Sequence, residues 1–386
     1  MARFVVGDLL TGDRIQIVPV VSGSWSDVLN RAGDIQCTVT LRDPAVSRLG
    51  LAQSAAVGKA FIAVMDGDTV LQAGPVWRHS YDDNDQHLTL IGAGMWSYFD
   101  HRVLLPSGDT NPSDAATDTR YTDVVTNPDA PGYPWAVDTR KSLQGIARAY
   151  VAQAIAWTNG NVPVNLPTEI AGSAERWEKG SNLAFVGPRL AELTNVENGP
   201  DIRFAPRLST DRQSIEWDML IGTPTQPQLY SSLDVVFNVG LSKSSISNLR
   251  YEVDGTRLAT RAYASGGRGT DTTLISVSTD TTLTAAGYPV LNTVDSSHST
   301  VSESAVLDGY AMEATVRGRT PIASMSFDHD LTQRPFLSAF NVGDFASVRV
   351  KNSPYLETGT YRMRITSRSG DAVGKKVRVE LQPEAD

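Results

Sequence analysis

Alternating apolar and polar positions occur near both ends of the chain. Every second residue is apolar in residues 36–41, 361–365 and 377–381. A two-residue period is typical of a β-strand that buries one face and leaves the other to water or to a partner. Further strand candidates are residues 14–21, 87–93, 202–204 and 214–221. The pattern therefore predicts a chain built mainly of antiparallel β-sheet.

Two Asp-Gly pairs lie between strand candidates. They are Asp66-Gly67, between residues 61–65 and 69–73, and Asp254-Gly255, between residues 248–253 and 257–263. An Asp-Gly pair suits a two-residue hairpin turn, because both central residues of that turn need a positive φ. We therefore predict one β-hairpin in each half of the chain.

Three segments show helical spacing instead. They are residues 141–157, 181–193 and 302–314. Asn159-Gly160 is a suitable stop for the first helix. Pro188 leaves the start of the second helix open, because proline lacks an N–H and restricts the residue before it. The helices would form a small α section within a β-rich chain.

Prolines, aspartates, threonines and glycines dominate residues 105–140, which predicts a long loop or extended arm. Four apolar side chains stand out in and beside this arm, namely Leu104, Leu105, Tyr133 and Trp135. Long loops of this kind usually bind something or lie on a neighbour. We predict that these four residues are interface residues that anchor the arm on an adjacent subunit or another protein.

These patterns divide the chain into three regions. Residues 1–100 form an N-terminal β-domain, 101–232 hold the arm and a helical or mixed insertion, and 233–386 form a C-terminal β-domain with one helix. Gly12-Asp13 and Gly343-Asp344 each precede a strand candidate. Two such pairs leave open whether the β-domains are duplicates.

Charge and cysteine content narrow the possible functions. The net charge is −9, and no basic run is longer than the two residues of Lys375-Lys376. Binding to DNA or to an anionic membrane as the main task is disfavoured, because it needs a basic face. The single cysteine, Cys37, cannot form an internal disulfide. No window approaches the ~20 apolar residues of a membrane span, so we expect synthesis in a cytoplasm and no membrane anchor.

Catalytic and metal-binding motifs are missing from the sequence. The nucleophile-elbow, zinc-protease, phosphate-loop and dinucleotide glycine motifs do not occur, and the five histidines lack metal-ligand spacing. Asp82, Asp83 and Asp85 resemble a calcium loop, but the required glycine and glutamate are replaced by His87 and Ala93. We expect no catalytic, cofactor-binding or metal-binding residues, no cofactor, and no enzymatic activity.

The order of features resembles a known family. After the arm and helices come residues 199–204, a strand through 217–220, the hairpin candidate at 248–263, a helix near Tyr310 and the turn at 342–344. This layout is similar to that of the tail-tip hub, or minor tail, proteins of long-tailed phages that infect actinobacteria. The resemblance implies two antiparallel, tube-like β-barrel domains per chain. It also implies a homotrimer with pseudo-sixfold symmetry that continues a hexameric tail tube.

By the same resemblance the chain would be a virion protein of the tail tip, assembled in the host cytoplasm. It would close or continue the tube, form part of the DNA conduit and anchor other tail-tip proteins. Its partners would be copies of itself, the distal tail protein and the tape measure protein, with genomic DNA passing without specific binding. Alternatives are a distal tail protein in a hexameric ring and a receptor-binding or carbohydrate-binding tail module.

Overall fold

The computed structural model describes residues 2–105 and 141–383, apart from 158, 175, 177–182, 197, 233, 241–243, 269–272, 297–303 and 373. Two compact units are present. The first comprises Met1–Asn248 with Phe327–Leu381, and the second comprises Leu249–Ser326 with Gln382–Asp386. The sequence-based division at residues 100 and 232 stays a prediction.

Strands make up most of the regular structure. In chain order they are β1 (Arg3–Asp8), β2 (Arg14–Val18), β3 (Ser22–Val28), β4 (Asp34–Thr40), β5 (Ala60–Asp66), β6 (Thr69–Asp82), β7 (His87–Ala93), β8 (Val164–Asn165), β9 (Ile202–Leu208), β10 (Ile215–Ile221), β11 (Val235–Val239), β12 (Ile246–Asp254), β13 (Arg261–Arg268), β14 (Thr273–Thr279), β15 (Asn292–Asp295), β16 (Ile322–Asp330), β17 (Phe345–Val350), β18 (Gly359–Asp371) and β19 (Lys376–Pro383).

The helices are short and fewer. They are α1 (Pro44–Ser47), α2 (Leu51–Ser54), α3 (Trp96–Phe99), α4 (Leu143–Ile155), α5 (Val186–Thr194), α6 (Thr281–Ala285) and α7 (Ser304–Arg317), with a 3-10 turn at Leu337–Ala339. The prediction of a mainly β fold with a small α section is confirmed. The described strands form an open 13-stranded sheet and two three-stranded sheets, so closed barrels are not seen in this part of the chain.

All three predicted helices are present, with shifted ends. Ser142 caps α4, because its Oγ accepts a hydrogen bond from the backbone N–H of Gly145 at 3.0 Å. Pro188 lies in the first turn of α5, where its missing N–H removes no helical hydrogen bond. That helix therefore starts at Val186, after Phe185.

The two predicted hairpins have different outcomes. The hairpin between β5 and β6 is present, but its two turn residues are Gly67 and Asp68, because Asp66 pairs with Thr69. Gly67 has a φ of 59°. The second hairpin is wrong, because β12 lies beside β16 whereas β13 lies between β14 and β15. The side chain of Asp254 makes a local contact instead: its Oδ1 accepts a hydrogen bond from the backbone N–H of Thr256 at 2.8 Å. That contact caps the next turn instead of closing a hairpin.

The same series of strand pairs occurs twice in the large sheet. The first set consists of β1–β5, β5–β6, β6–β7, β7–β4 and β4–β3, and the second of β11–β17, β17–β18, β18–β19, β19–β16 and β16–β12. One difference is that β11 runs parallel to β17, whereas β1 runs antiparallel to β5. We call these the N-terminal set and the C-terminal set.

Backbone contacts match between the two sets as well. The N–H of Gly58 donates to the carbonyl of Val76 at 2.8 Å, and the N–H of Gly343 donates to that of Ile365 at 2.7 Å. Both glycines have a positive φ, of 73° and 97°. Gly343 therefore corresponds to Gly58 and not to Gly12. The two β-rich regions therefore repeat the same strand pairing, a question that the sequence leaves open. Gly12-Asp13 and Gly343-Asp344 are not equivalent positions in that repeat.

A single hydrophobic cluster joins the N-terminal set to the middle of the chain. It contains residues from β1, β5 and β6 together with α3, α4, α5 and the small sheet β8–β10–β9. Trp217 is fully buried at its centre, with its ring edge-on to Phe61 at 5.8 Å between centroids. Its indole N–H donates to the carbonyl of Ala73 at 3.0 Å, which satisfies the buried polar atom.

The second unit has its own small core. Its sheet has the order β14–β13–β15, and α7 packs on one face through Ala264, Leu307 and Ala311. The side chain of Ser278 also meets that of Thr315 on this face, at 2.9 Å between the oxygens. Side chains that alternate with these, on β13–β15, therefore point to the opposite face of the sheet.

Candidate assembly surface

The N-terminal and C-terminal sets are joined edge to edge. The last residues of β18 pair antiparallel with β3, so that Ser367 lies opposite Val28 and Asp371 lies opposite Ser24. The earlier residues of β18 pair with β17. One strand thus changes neighbour along its length, and the sheet runs from one set into the other without a break.

A buried ion network lies at this junction. The Oδ2 of Asp27 on β3 is 2.7 Å from a guanidinium nitrogen of Arg203 on β9 and 3.2 Å from one of Arg368 on β18. Arg368 also donates to the carbonyl of Phe340 at 2.7 Å. Burial lowers the pKa of Arg368, and the nearby Asp27 carboxylate opposes that shift. One carboxylate therefore holds two guanidiniums from distant parts of the chain.

A second polar cluster supports the same junction. The carboxylate of Asp201 accepts hydrogen bonds from the Asn30 side chain at 3.0 Å and from the backbone N–H of Leu229 at 2.8 Å, and it pairs with Arg364. Asn30 in turn accepts from the backbone N–H of Ile202 at 2.8 Å. Paired, hydrogen-bonded charges with little access to water tolerate few alternative arrangements. The joint between the two sets is accordingly well defined.

Other edges of the large sheet lack a neighbouring strand within the described residues. Strand β2 lies at one end, where Ile15 and Ile17 are 54% and 56% exposed. Gln16, which points the other way, donates to the carbonyl of Leu49 at 3.1 Å. Strand β12 lies at the other end of the strand order, with Val253 48% exposed. Unpaired edges are unusual on a lone protein, because they template pairing with another chain.

The second unit also exposes apolar side chains. Tyr263 on β13 lies opposite Val277 on β14 and Val294 on β15. Both valines are exposed, as is Ile275 on the same face. Since α7 covers only the other face, this side of the small sheet is a contiguous apolar surface of the kind that marks contact with another protein.

Models of known protein families give no match to the sequence. Curated protein sequences give none either. Solved structures do match. The 43 kDa tail protein of prophage MuSo2 from Shewanella oneidensis superimposes with a TM-score of 0.58 at 11% identity, over 99% of this chain and 98% of that one.

A second solved structure agrees. The tail protein from Neisseria meningitidis MC58 gives a TM-score of 0.54 at 13% identity, over 99% of this chain and 97% of that one. At such low identities the likeness establishes the fold alone. This chain therefore has the fold of known tail proteins, over nearly its whole length.

The interface residues predicted from sequence are only partly described. Leu104 and Leu105 are 1% and 2% exposed, and Leu104 belongs to the cluster around Trp217. The backbone N–H of Leu105 donates to Gln153 at 3.1 Å. Their packing in the chain's own core does not support a role as contacts to a neighbour. Tyr133, Trp135 and residues 106–140 of the arm lie outside the described residues.

Groups with catalytic potential are placed in ordinary structural positions. Within the described residues no cluster of three metal-ligating side chains occurs. Cys37 is buried, which raises the pKa of its thiol to about 12. His329 is buried as well, and its Nε2 lies 2.7 Å from the carbonyl of Pro335. Asp82 caps the turn between β6 and β7, where its Oδ1 accepts from the backbone N–H of Asn84 at 2.9 Å.

None of the helices in the described part of the chain is long and apolar enough to cross a bilayer.

The features that sequence reasoning missed are the sheet junction and its ion network. Asp27, Arg203 and Arg368 are spread over more than 340 residues of sequence. The sequence offers one signal for this network. Asp27 follows Trp25 by two residues in a strand, so its charged side chain takes a position that faces the interior. Such a residue needs a buried partner, but sequence does not say which one.

Proposed function

We propose that this chain is a structural subunit of a phage tail-tip hub, which closes or continues the tail tube and anchors other tail-tip proteins. The observation that carries the proposal is the strand-pairing set that occurs twice and is joined edge to edge within one chain. The shared fold with two tail proteins supports it.

The repeat explains how such a subunit could meet a sixfold tube. Each copy supplies two similar sets, so three copies would present six sets around an axis. A homotrimer would then match the symmetry of a hexameric tube without needing six chains. Two sets in a chain favour this arrangement over a distal tail protein, whose hexameric ring needs only one set per chain.

A conduit role fits the charge of the chain. Basic contacts to phosphate add affinity through counterion release, so a basic lumen would retain DNA. An acidic lumen repels the duplex within about 10 Å at moderate salt. With a net charge of −9 per chain, a ring would have many acidic side chains available for its inner surface. Genomic DNA would pass through without specific binding.

The remaining surfaces suit assembly rather than catalysis. The apolar face of the second unit and the edge at Ile15 and Ile17 would contact the distal tail protein, the tape measure protein or other tail-tip proteins. The protein would be a virion component, assembled in the host cytoplasm, and it would need no cofactor. No enzymatic step is assigned to it.

Labelling of phage particles tests this function. Antibodies raised against the purified chain, detected with gold in electron micrographs, should mark the tail end opposite the capsid. Native mass spectrometry of the purified 41.6 kDa chain should then distinguish three copies from six. Labelling of the capsid or of the tube along its length would contradict the hub proposal, and a ring of six copies would favour a distal tail protein.

The receptor-binding alternative predicts a different result. A carbohydrate-binding tail module should bind host cell-wall glycans as an isolated protein. Sedimentation of the purified chain with host cell walls, in comparison with heat-unfolded chain, measures this directly. Specific retention would favour the alternative over the hub.

A further inference from the structure

Two strand edges lack a partner in the described chain, and they occupy related positions in the repeat. Strand β6 pairs with β5 up to Pro75 and with β7 from Val76 onward. From Arg78 to Asp82 the side of β6 that faced β5 has no strand beside it among the described residues. Strand β12 has β16 on one side only. We call these the β6 edge and the β12 edge.

Within the chain, the two strand segments that correspond to the β6 edge and the β12 edge are paired with each other. Phe61 lies opposite Pro75 in the N-terminal set, and Phe345 lies opposite Arg364 in the C-terminal set. Residues 78–82 of β6 therefore correspond to 367–371 of β18. In the strand order, β12 occupies the place in its set that β3 occupies in the other. Since 367–371 of β18 pair with β3, the repeat contains one such joint and lacks the second.

A side-chain contact confirms the correspondence at the β6 edge. Arg368 donates to the carbonyl of Phe340, just before β17, at 2.7 Å. His79 lies at the same position of β6, and its Nε2 is 2.6 Å from the carbonyl of Ala55, just before β5. Residues 78–82 of β6 and 367–371 of β18 are therefore supported by equivalent contacts, although only the β18 segment has a strand, β3, paired to it.

We propose that the β6 edge of one copy pairs antiparallel with the β12 edge of a second copy, repeating between chains the joint that β18 and β3 make within a chain. This inference rests on the proposed hub function and supplies its subunit contact. Because the two edges differ, the contact is head-to-tail. Such contacts close into a ring or extend as a filament.

Side-chain alternation indicates the register. In β3, Trp25 and Asp27 are buried, whereas in β12 the less exposed Leu249 and Tyr251 alternate with exposed Arg250 and Glu252. Matching Tyr251 with Trp25 keeps the two faces of the strands equivalent. The pairing of Trp25 with Gly370 then places Tyr251 opposite residue 81 of the neighbour.

This register also brings opposite charges together. Tyr81 would lie opposite Tyr251, Arg78 opposite Asp254, and Asp82 opposite Arg250. Opposite charges directly across an antiparallel pair stabilise it, and like charges destabilise it. The complementarity at both ends of the pair agrees with a second copy as the occupant.

Cysteine crosslinking tests the pairing in the full chain. In the proposed register Ser80 lies opposite Glu252, so the double variant S80C/E252C should form a disulfide between copies under mild oxidation. The native Cys37 will not compete, because it is fully buried. We expect covalent multimers on non-reducing gels, at least tenfold more abundant than in either single variant.

An out-of-register pair serves as the control. Asp85 is exposed in the turn beyond β6, so E252C/D85C keeps one cysteine in place and moves the other beyond the ~7 Å over which two Cα atoms can be bridged. Equal crosslinking in S80C/E252C and E252C/D85C, or no crosslinking in a sample that native mass spectrometry shows to be oligomeric, overturns the pairing. So does a chain that stays monomeric at the crosslinking concentration.

The outcomes separate this inference from the proposed function. A chain that labels the tail tip but fails to crosslink keeps the hub function and loses the strand pairing. A chain that crosslinks in register but labels another part of the particle keeps the pairing and loses the hub function.

Discussion

Removing the carboxylate of Asp27 is expected to destabilise the first unit severely. This carboxylate balances the guanidiniums of Arg203 and Arg368, at 2.7 and 3.2 Å. The side chains of all three residues are at most 11% exposed. In D27A both cations would remain at the joint between β3, β9 and β18 without their counter-charge.

The size of the effect follows from burial. Breaking a buried ion pair by removing one partner costs about 3–5 kcal/mol, because an uncompensated charge stays in the interior. The exposed pair of Arg212 and Asp68 supplies a matched control, since its side chains are 67% and 63% exposed. An exposed pair contributes about 0–1 kcal/mol, so D68A should change stability little.

Denaturant unfolding followed by tryptophan fluorescence measures the difference. All seven tryptophans fall within the sequence range of the first unit, so the signal reports on the unit that contains the network. We expect a much lower unfolding midpoint for D27A than for D68A. The double variant D27A/R368M should recover part of the loss, because it removes one of the stranded charges.

Equal unfolding midpoints for D27A and D68A would contradict a large contribution from the buried ion network. So would a D27A/R368M variant that is less stable than D27A by the full cost of a second independent substitution. Either result would mean that water reaches the network and screens it, so that burial does not set its energy.

Cys37 should resist alkylation in the native protein and react after unfolding, because burial raises the pKa of its thiol to about 12; rapid native labelling would contradict this. Burial lowers the pKa of His329, so the unfolded state binds the proton more readily. Stability should therefore fall as the pH drops below about 6.5, and H329Q should flatten that dependence. A lumen lined mainly by Arg and Lys in the assembled ring, visible by cryo-electron microscopy, would refute the acidic conduit. Deleting residues 106–140 should leave the circular dichroism strand signal intact and block incorporation into particles; infectious tails built from the truncated chain would disprove a role for the arm.

Local patterns carried much of the fold. The alternation in residues 36–41 and 377–381 correctly marked β4 and β19, and the Asp-Gly pair at 66–67 correctly marked a hairpin. These features depend on neighbours a few residues apart, which sequence displays directly. The pair at 254–255 failed because an Asp-Gly turn is equally compatible with a strand that leaves the sheet, and only the long-range partner β16 settles which strand lies beside β12.

The assembly surface was harder to infer. Leu104 and Leu105 were predicted as interface residues because they are apolar beside a polar arm, yet the structure buries them against α4 and its surroundings. Sequence shows that an apolar side chain needs cover but not whether its own chain provides it. The sequence also does not identify the exposed strand edges, because every residue other than proline has a backbone N–H whether or not that group is paired in the sheet.

Residue patterns alone establish the strand-rich character, the approximate positions of the three longest helices and the absence of common catalytic motifs, because periodicity and motif spacing are local properties. Long-range contacts establish that the strand pairs repeat, that Asp27 joins Arg203 and Arg368, and which strand edges lack a neighbour among the described residues. Strand pairing links residues hundreds of positions apart, and its energy depends on mutual burial and register. Those quantities exist only once the chain has folded.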